Sequence, residues 1–160
     1  MSSILSLTEF FKIKLNAPML NNRWSWGAVS ADKSVVYLSV WQDEIKRDVP
    51  KDPASETWVD LLWNEGLWSE VNGASMARDE RSTHIELIKS GLPAYALIKI
   101  VRDVNAMPRQ MKEFNSDYLI AIKNNFRVTE DGVLQAQLGE RVVIDDLQNL
   151  LCNSDAKNSV

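Results

Sequence analysis

The chain opens on a helical spacing: Leu7, Phe10 and Phe11 fall on one side of a short helix over residues 6–15, and Ser6 and Glu9 stand at capping-box spacing before it. Pro18 and the pair Asn21-Asn22 close that element. The period then changes to two. Residues 23–30 and 34–42 read as antiparallel strands joined at Ala31-Asp32-Lys33. Trp24 and Trp26 project from one face of the first strand, and Tyr37 and Trp41 share a face of the second. In that second strand Val36, Leu38 and Val40 alternate with Val35, Tyr37 and Trp41. Apolar residues on both sides imply a central strand, covered on each face or wrapped into a barrel.

Periodicity is lost over residues 43–77, where Pro50, Pro53, Gly66 and Gly73 interrupt the chain. Trp58, Leu61, Leu62, Trp63, Leu67 and Trp68 fit either a turn or two of helix or a loop pinned by aromatics. A clear helix returns over 79–90, with Gly91 at the C′ position and Pro93 beyond it. Residues 94–103 give the strongest strand pattern. Pro108 is expected to start a short helix through Met111, Lys112 and Phe114. Strands over 118–123, 126–129 and 133–138 follow, the last two joined by Glu130-Asp131-Gly132. Residues 141–144 add a short edge strand, and Asp145 caps a last helical turn through Leu151. The expected architecture is a single α+β domain over residues 1–152, a strongly bent mixed sheet or small barrel with three or four short helices, followed by a disordered tail over 153–160.

Composition changes this picture little: 160 residues, 45% hydrophobic and 25% charged, suit one globular domain with a sizeable core. No apolar run approaches the ~20 residues of a membrane span, and Met1-Ser2-Ser3-Ile4 lacks the basic start of a secretory signal. One cysteine, Cys152, excludes an internal disulfide, so a cytoplasmic protein is expected.

Charge changes it more. The net charge of −4 argues against a binder that holds nucleic acid by charge alone. Residues 42–74 carry a net of −5, whereas residues 75–127 carry +3 from nine Lys and Arg against six acids. Both regions read plainly as solvated faces; alternatively, the basic one faces a phosphate or an acidic partner.

Candidate chemistry is sparse. There is no Gly-rich phosphate loop, no G-x-S-x-G, no H-E-x-x-H and no paired C-x-x-C. A His/Cys zinc site is excluded by one histidine and one cysteine, and no metal or cofactor is expected. Glu86-Leu87-Ile88-Lys89 is one residue too long for the Asp…Glu-x-Lys pattern of metal-dependent nucleases and lies on a helix. Arg81 and His84, one helical turn apart, are either a boundary pair packing on the sheet or a pair that binds an anion or a base edge. Asp103 and Arg109 flank a strand-to-helix link, as a local ion pair or as a ligand-binding rim. Six tryptophans exceed what a small core needs, and Arg23 directly precedes Trp24. Aromatics with arginine on a curved sheet are suited to an unpaired or flipped base.

Three segments carry a resemblance: Asn22-Arg23-Trp24-Ser25-Trp26-Gly27-Ala28, the run from Val36 to Glu44, and Arg81…His84-Ile85 through Val101 to Arg109. Together they resemble a group of small bacterial and phage proteins whose segments also occur beside HNH nuclease domains. The resemblance implies a DNA-recognition module of a restriction or phage-defence system, for modified bases, with a PUA-like barrel. The HNH motif itself is missing. The expected function is therefore a non-catalytic module that binds nucleic acid or a nucleotide. Arg23, Trp24 and Trp26 form its platform, Trp41 and Asp43 the far edge, and Arg81, His84, Asp103 and Arg109 the polar rim. The alternative is a protein-binding factor acting through the acidic, Trp-rich 42–74 segment, and a metal-dependent nuclease stands third.

Overall fold

The computed structural model describes residues 6–19, 26–49, 52, 55–62, 74–103, 105 and 111–144. Helix α1 spans Leu7–Ile13. At its start the Glu9 N–H donates to Ser6 Oγ at 3.2 Å and the Ser6 N–H donates to the Glu9 carboxylate at 3.4 Å, which closes the capping box that the spacing predicts. The helix buries Phe10 and Phe11 against Tyr37, Leu97 and Leu119, with Phe114 edge-on to Phe10.

Strands β1 (Gly27–Val29) and β2 (Val36–Trp41) form the expected antiparallel hairpin. Its turn is tied by the Asp32 carboxylate, which accepts from the Ser30 and Ser34 hydroxyls and holds its own pKa below the ordinary carboxylate value through those bonds. A Cβ on Gly27 would collide with the Tyr37 carbonyl, so only glycine lets β1 lie this close to β2. Strand β2 is covered on both faces, as its double alternation requires. Val36, Leu38 and Val40 join one core cluster, while Val35 and Tyr37 join a second beneath α1.

A 3-10 turn at Gln42–Glu44 leads to β3 (Ile45–Arg47) and β4 (Thr57–Leu62). Helix α2 (Ala74–Lys89) follows and ends at Gly91, whose φ of 117° is the left-handed value expected of a C′ glycine. Then come β5 (Ala94–Val101), β6 (Met111–Phe114), β7 (Tyr118–Val128) and β8 (Leu134–Val143). Strand β5 runs parallel to β2 in the register Val36↔Ala94 to Trp41↔Lys99. The strand order is β1-β2-β5-β7-β8-β4-β3, with β6 extending the β7 edge along the second half of β5.

Strands β2 and β4 stand four places apart in that order, which in a flat sheet means about 19 Å at about 4.8 Å per strand. Yet they touch each other, and both touch α2. The sheet therefore curls around the helix. Ile85 and Ile88 of α2 fill the inside of the curl against Leu38, Val59, Leu61 and Ala96.

These findings correct the expected fold class. The protein is mainly β, an eight-stranded mixed sheet that does not close into a barrel, and among the described residues it has two α-helices where three or four were expected. The end strands β1 and β3 do not pair with each other. Helix α2 packs against β1, β2 and β4 on the inside of the curl. The extra strands come from two places. Residues 43–62 supply β3 and β4 where a turn or two of helix or a loop was expected, and Met111–Phe114 is a strand where the Pro108 pattern predicts helix, because pairing with β5 satisfies its backbone. Residues 118–123 and 126–129 are one strand with register shifts, and 133–138 runs on into 141–143. Expectations for 63–73, the start at Pro108, the turn after Asp145 and the tail lie outside the described residues.

Candidate functional site

The apolar face of α2 carries two polar residues, Arg81 and His84, two turns and one turn before Ile88. Both are interior: Arg81 is 2% exposed and His84 5%. The Arg81 Nη2 donates to the carbonyls of Trp26 at 2.9 Å and Ser39 at 2.8 Å, and Nη1 donates to the Leu61 carbonyl at 3.3 Å. One planar cation thus ties the helix to the approach of β1, to β2 and to β4, a geometry that the fork of a guanidinium serves and an ammonium does not. The Ser39 hydroxyl donates to the same Trp26 carbonyl at 2.8 Å, and the guanidinium carbon lies 5.6 Å from the Trp26 ring centroid.

Burial pulls the Arg81 pKa down to about 10, against the opposing pull of the Glu44 and Glu80 carboxylates, which leaves it charged at neutral pH. Burial, and then the Arg81 charge, push His84 down to about 4, so its imidazole is neutral there. Two nitrogens of this cluster, Arg81 Nε and His84 Nδ1, are buried and make no hydrogen bond. Such groups cost about 1–3 kcal/mol each when left without a partner, which makes them rare in native proteins.

Parallel pairing sends the C-terminal ends of β2 and β5 to the same side of the sheet, the side at which ligands commonly bind in parallel arrangements. Trp41 ends β2 there, with the Lys99 ammonium 4.0 Å from its ring centroid. Asp43 is exposed in the 3-10 turn, which packs on β5. Asp103 is exposed just past β5 and accepts from the Asn105 N–H at 3.0 Å. Trp26 joins this end through Ser39, whose N–H donates to the Trp26 carbonyl at 2.8 Å. Of the residues singled out in the sequence, Trp26 and Arg81 meet, His84 follows Arg81 one turn along the helix, and Trp41, Asp43 and Asp103 border the same end. Arg81 and His84 lie inside it and not on its rim. Arg23, Trp24 and Arg109 lie outside the described residues.

A second polar network was missed. On the sheet face that bears α1 elsewhere, Gln135 donates to the buried Asp60 at 2.6 Å, and Lys46 donates to its other oxygen at 3.1 Å. Arg127 donates to Gln135 at 2.8 Å and to Asp48 at 2.8 Å while stacking 3.9 Å from the Trp58 centroid. Trp58 Nε1 donates to the remaining Asp48 oxygen at 3.1 Å, and the Arg127 bond holds Asp48 below the ordinary carboxylate pKa. The alternation of Trp58 and Asp60 against Val59 and Leu61 is the signal that could have marked this strand and its two faces.

Among the described residues, no group of three or more His, Cys, Asp or Glu could hold a metal ion, and no helix is long and apolar enough to cross a membrane. Compared with known proteins, the chain matches no family model, no curated protein and no solved structure.

Proposed function

We propose that this protein is a non-catalytic module that binds a nucleobase, as a nucleotide or as an unpaired or flipped base of a nucleic acid, at the end of the sheet where β2 and β5 finish. The observation that carries the reading is two tryptophans at this end of the sheet, each set against a cation: Trp41 with Lys99 at 4.0 Å and Trp26 with Arg81 at 5.6 Å. Base-on-aromatic stacking is worth about 1–3 kcal/mol per base, and a cation over the ring supports it. The net charge of −4 favours recognition of one base over charge-driven capture of a long backbone. The setting, a restriction or phage-defence system, rests on the motif resemblance alone, and a cytoplasmic location on the single cysteine. The alternative partner, a protein held by the acidic 42–74 segment, meets less free charge than the sequence implies, because Asp48 and Asp60 are paired with Arg127 and Lys46.

Calorimetry and tryptophan quenching with nucleotides and single-stranded oligonucleotides test this reading. Trp41→Ala is expected to weaken binding about tenfold, the loss of roughly 1.4 kcal/mol of stacking. Equal affinity of Trp41→Ala and wild type for every probe overturns it.

A further inference from the structure

We infer that His84, with Arg81 Nε beside it, hydrogen-bonds the edge of an uncharged heterocyclic base lying against Trp26, so that this cluster reads the base and leaves the phosphate to other groups. The inference rests on the nucleobase-binding reading and adds which side chains discriminate and against what.

Three observations lead to it. First, His84 Nδ1 and Arg81 Nε are both buried and make no hydrogen bond, and they belong to side chains 5% and 2% exposed on successive turns of one helix face. Native interiors pair such atoms with protein groups, ordered water or a ligand, and the ligand is the occupant inferred here. Second, the charge-binding capacity of Arg81 is already used. Both Nη2 N–H groups and one of Nη1 are committed to three backbone carbonyls, which leaves Nε–H and a single Nη1 N–H on different edges of the guanidinium, with no adjacent pair. Phosphate is characteristically clamped by two parallel guanidinium bonds, and that fork is unavailable here. Third, the surroundings disfavour an anion. The buried carboxylates Glu44 and Glu80 act on the same guanidinium, and the imidazole is neutral at physiological pH. A base edge offers what remains: an acceptor for Arg81 Nε–H, and a donor or acceptor for whichever tautomer His84 adopts. The Trp26 ring beside the guanidinium gives that heterocycle a flat surface.

His84 is the only histidine in the chain, so its imidazole gives an unambiguous signal. The experiment titrates the whole protein, labelled with 15N-histidine, at pH 7.5 with the four nucleosides, with inorganic phosphate and with ribose 5-phosphate, while tryptophan fluorescence reports binding independently. The expected result is a saturable shift of the His84 Nδ1 resonance with at least one nucleoside and none with phosphate or ribose 5-phosphate. His84→Leu is expected to lose tenfold or more in affinity for that nucleoside. His84→Asn, whose amide falls near the Nδ1 position, should recover part of it, and His84→Gln should not. If nucleosides bind by fluorescence while the His84 resonances stay fixed, the unpartnered nitrogens hold only water; the inference then fails and the binding module stands. A shift with phosphate equal to that with nucleoside overturns it in favour of an anion site. If no nucleoside or oligonucleotide binds at all, the nucleobase reading itself fails, and the inference with it.

Discussion

Arg81 and Arg127 each sit beside a tryptophan and near carboxylates, yet they do different work. Arg81 is buried and spends its donors on backbone carbonyls of three separate segments. Arg127 is 40% exposed, and its partners are side chains: Asp48, Gln135 and the face of Trp58. A backbone carbonyl moves only if its strand moves, so Arg81 fixes the curl of the sheet. A side-chain partner moves by rotating, so the Arg127 cluster can rearrange at small cost. Residue types alone would class the two together. The kind of partner separates them.

The contrast makes graded predictions. Arg81→Leu removes the donor from three carbonyls and the buried positive charge on which Glu44 and Glu80 act, at an expected cost of about 3–5 kcal/mol in urea unfolding at pH 7. Arg81→Lys keeps the charge without the fork and should fall between that variant and wild type. A loss below about 1 kcal/mol for Arg81→Leu would erase the distinction drawn above.

Next in size is the pH dependence of His84. Its folded pKa, about 4, lies below the ordinary value of 6.5, so the unfolded chain takes up the proton first as pH falls. Stability is complete above pH 6.5 and declines towards pH 4, by about 3 kcal/mol from this group alone. Urea unfolding across that range should show the decline in wild type and a flatter profile in His84→Leu.

On the opposite face, Asp60→Ala strands the Gln135 amide at a buried position and should cost about 1–3 kcal/mol in thermal or urea unfolding. Lys46, itself 60% exposed, adds little to that loss. Smallest is Arg127→Gln. Removing the cation from Trp58 should cost about 0.5–1 kcal/mol while opening that indole to acrylamide quenching. A loss as large as that of Arg81→Leu would show that the outer cluster is as rigid as the inner one.

Local chemistry was the legible part of this fold. The Ser6/Glu9 cap, the β1–β2 hairpin, the end of α2 at Gly91 and the two-sided burial of β2 follow from neighbours in sequence. The misreadings come from long-range pairing. Met111–Phe114 is a strand because β5 lies beside it, and Thr57–Leu62 because β3 and β8 flank it. The site divides in the same way. The spacing of Arg81 and His84 marked a helical pair, but nothing local shows that their partners are carbonyls of Trp26, Ser39 and Leu61. Trp58 and Arg127 are far apart in the chain, and the strands β4, β8 and β7 that join them are not readable from either residue.

The strand order also bears on how the chain is made. Strands β1 to β4 and helix α2 leave the ribosome before β5, β7 and β8, the three strands that stand between β2 and β4 in the pairing order of the finished sheet. A nascent chain that has reached Lys89 therefore carries open edges on β2 and β4 that the finished sheet covers, the kind of surface that recruits other chains. Every carbonyl that Arg81 holds precedes it in sequence. The helix can thus latch both edges as soon as it forms, and the C-terminal strands complete the sheet by insertion between them.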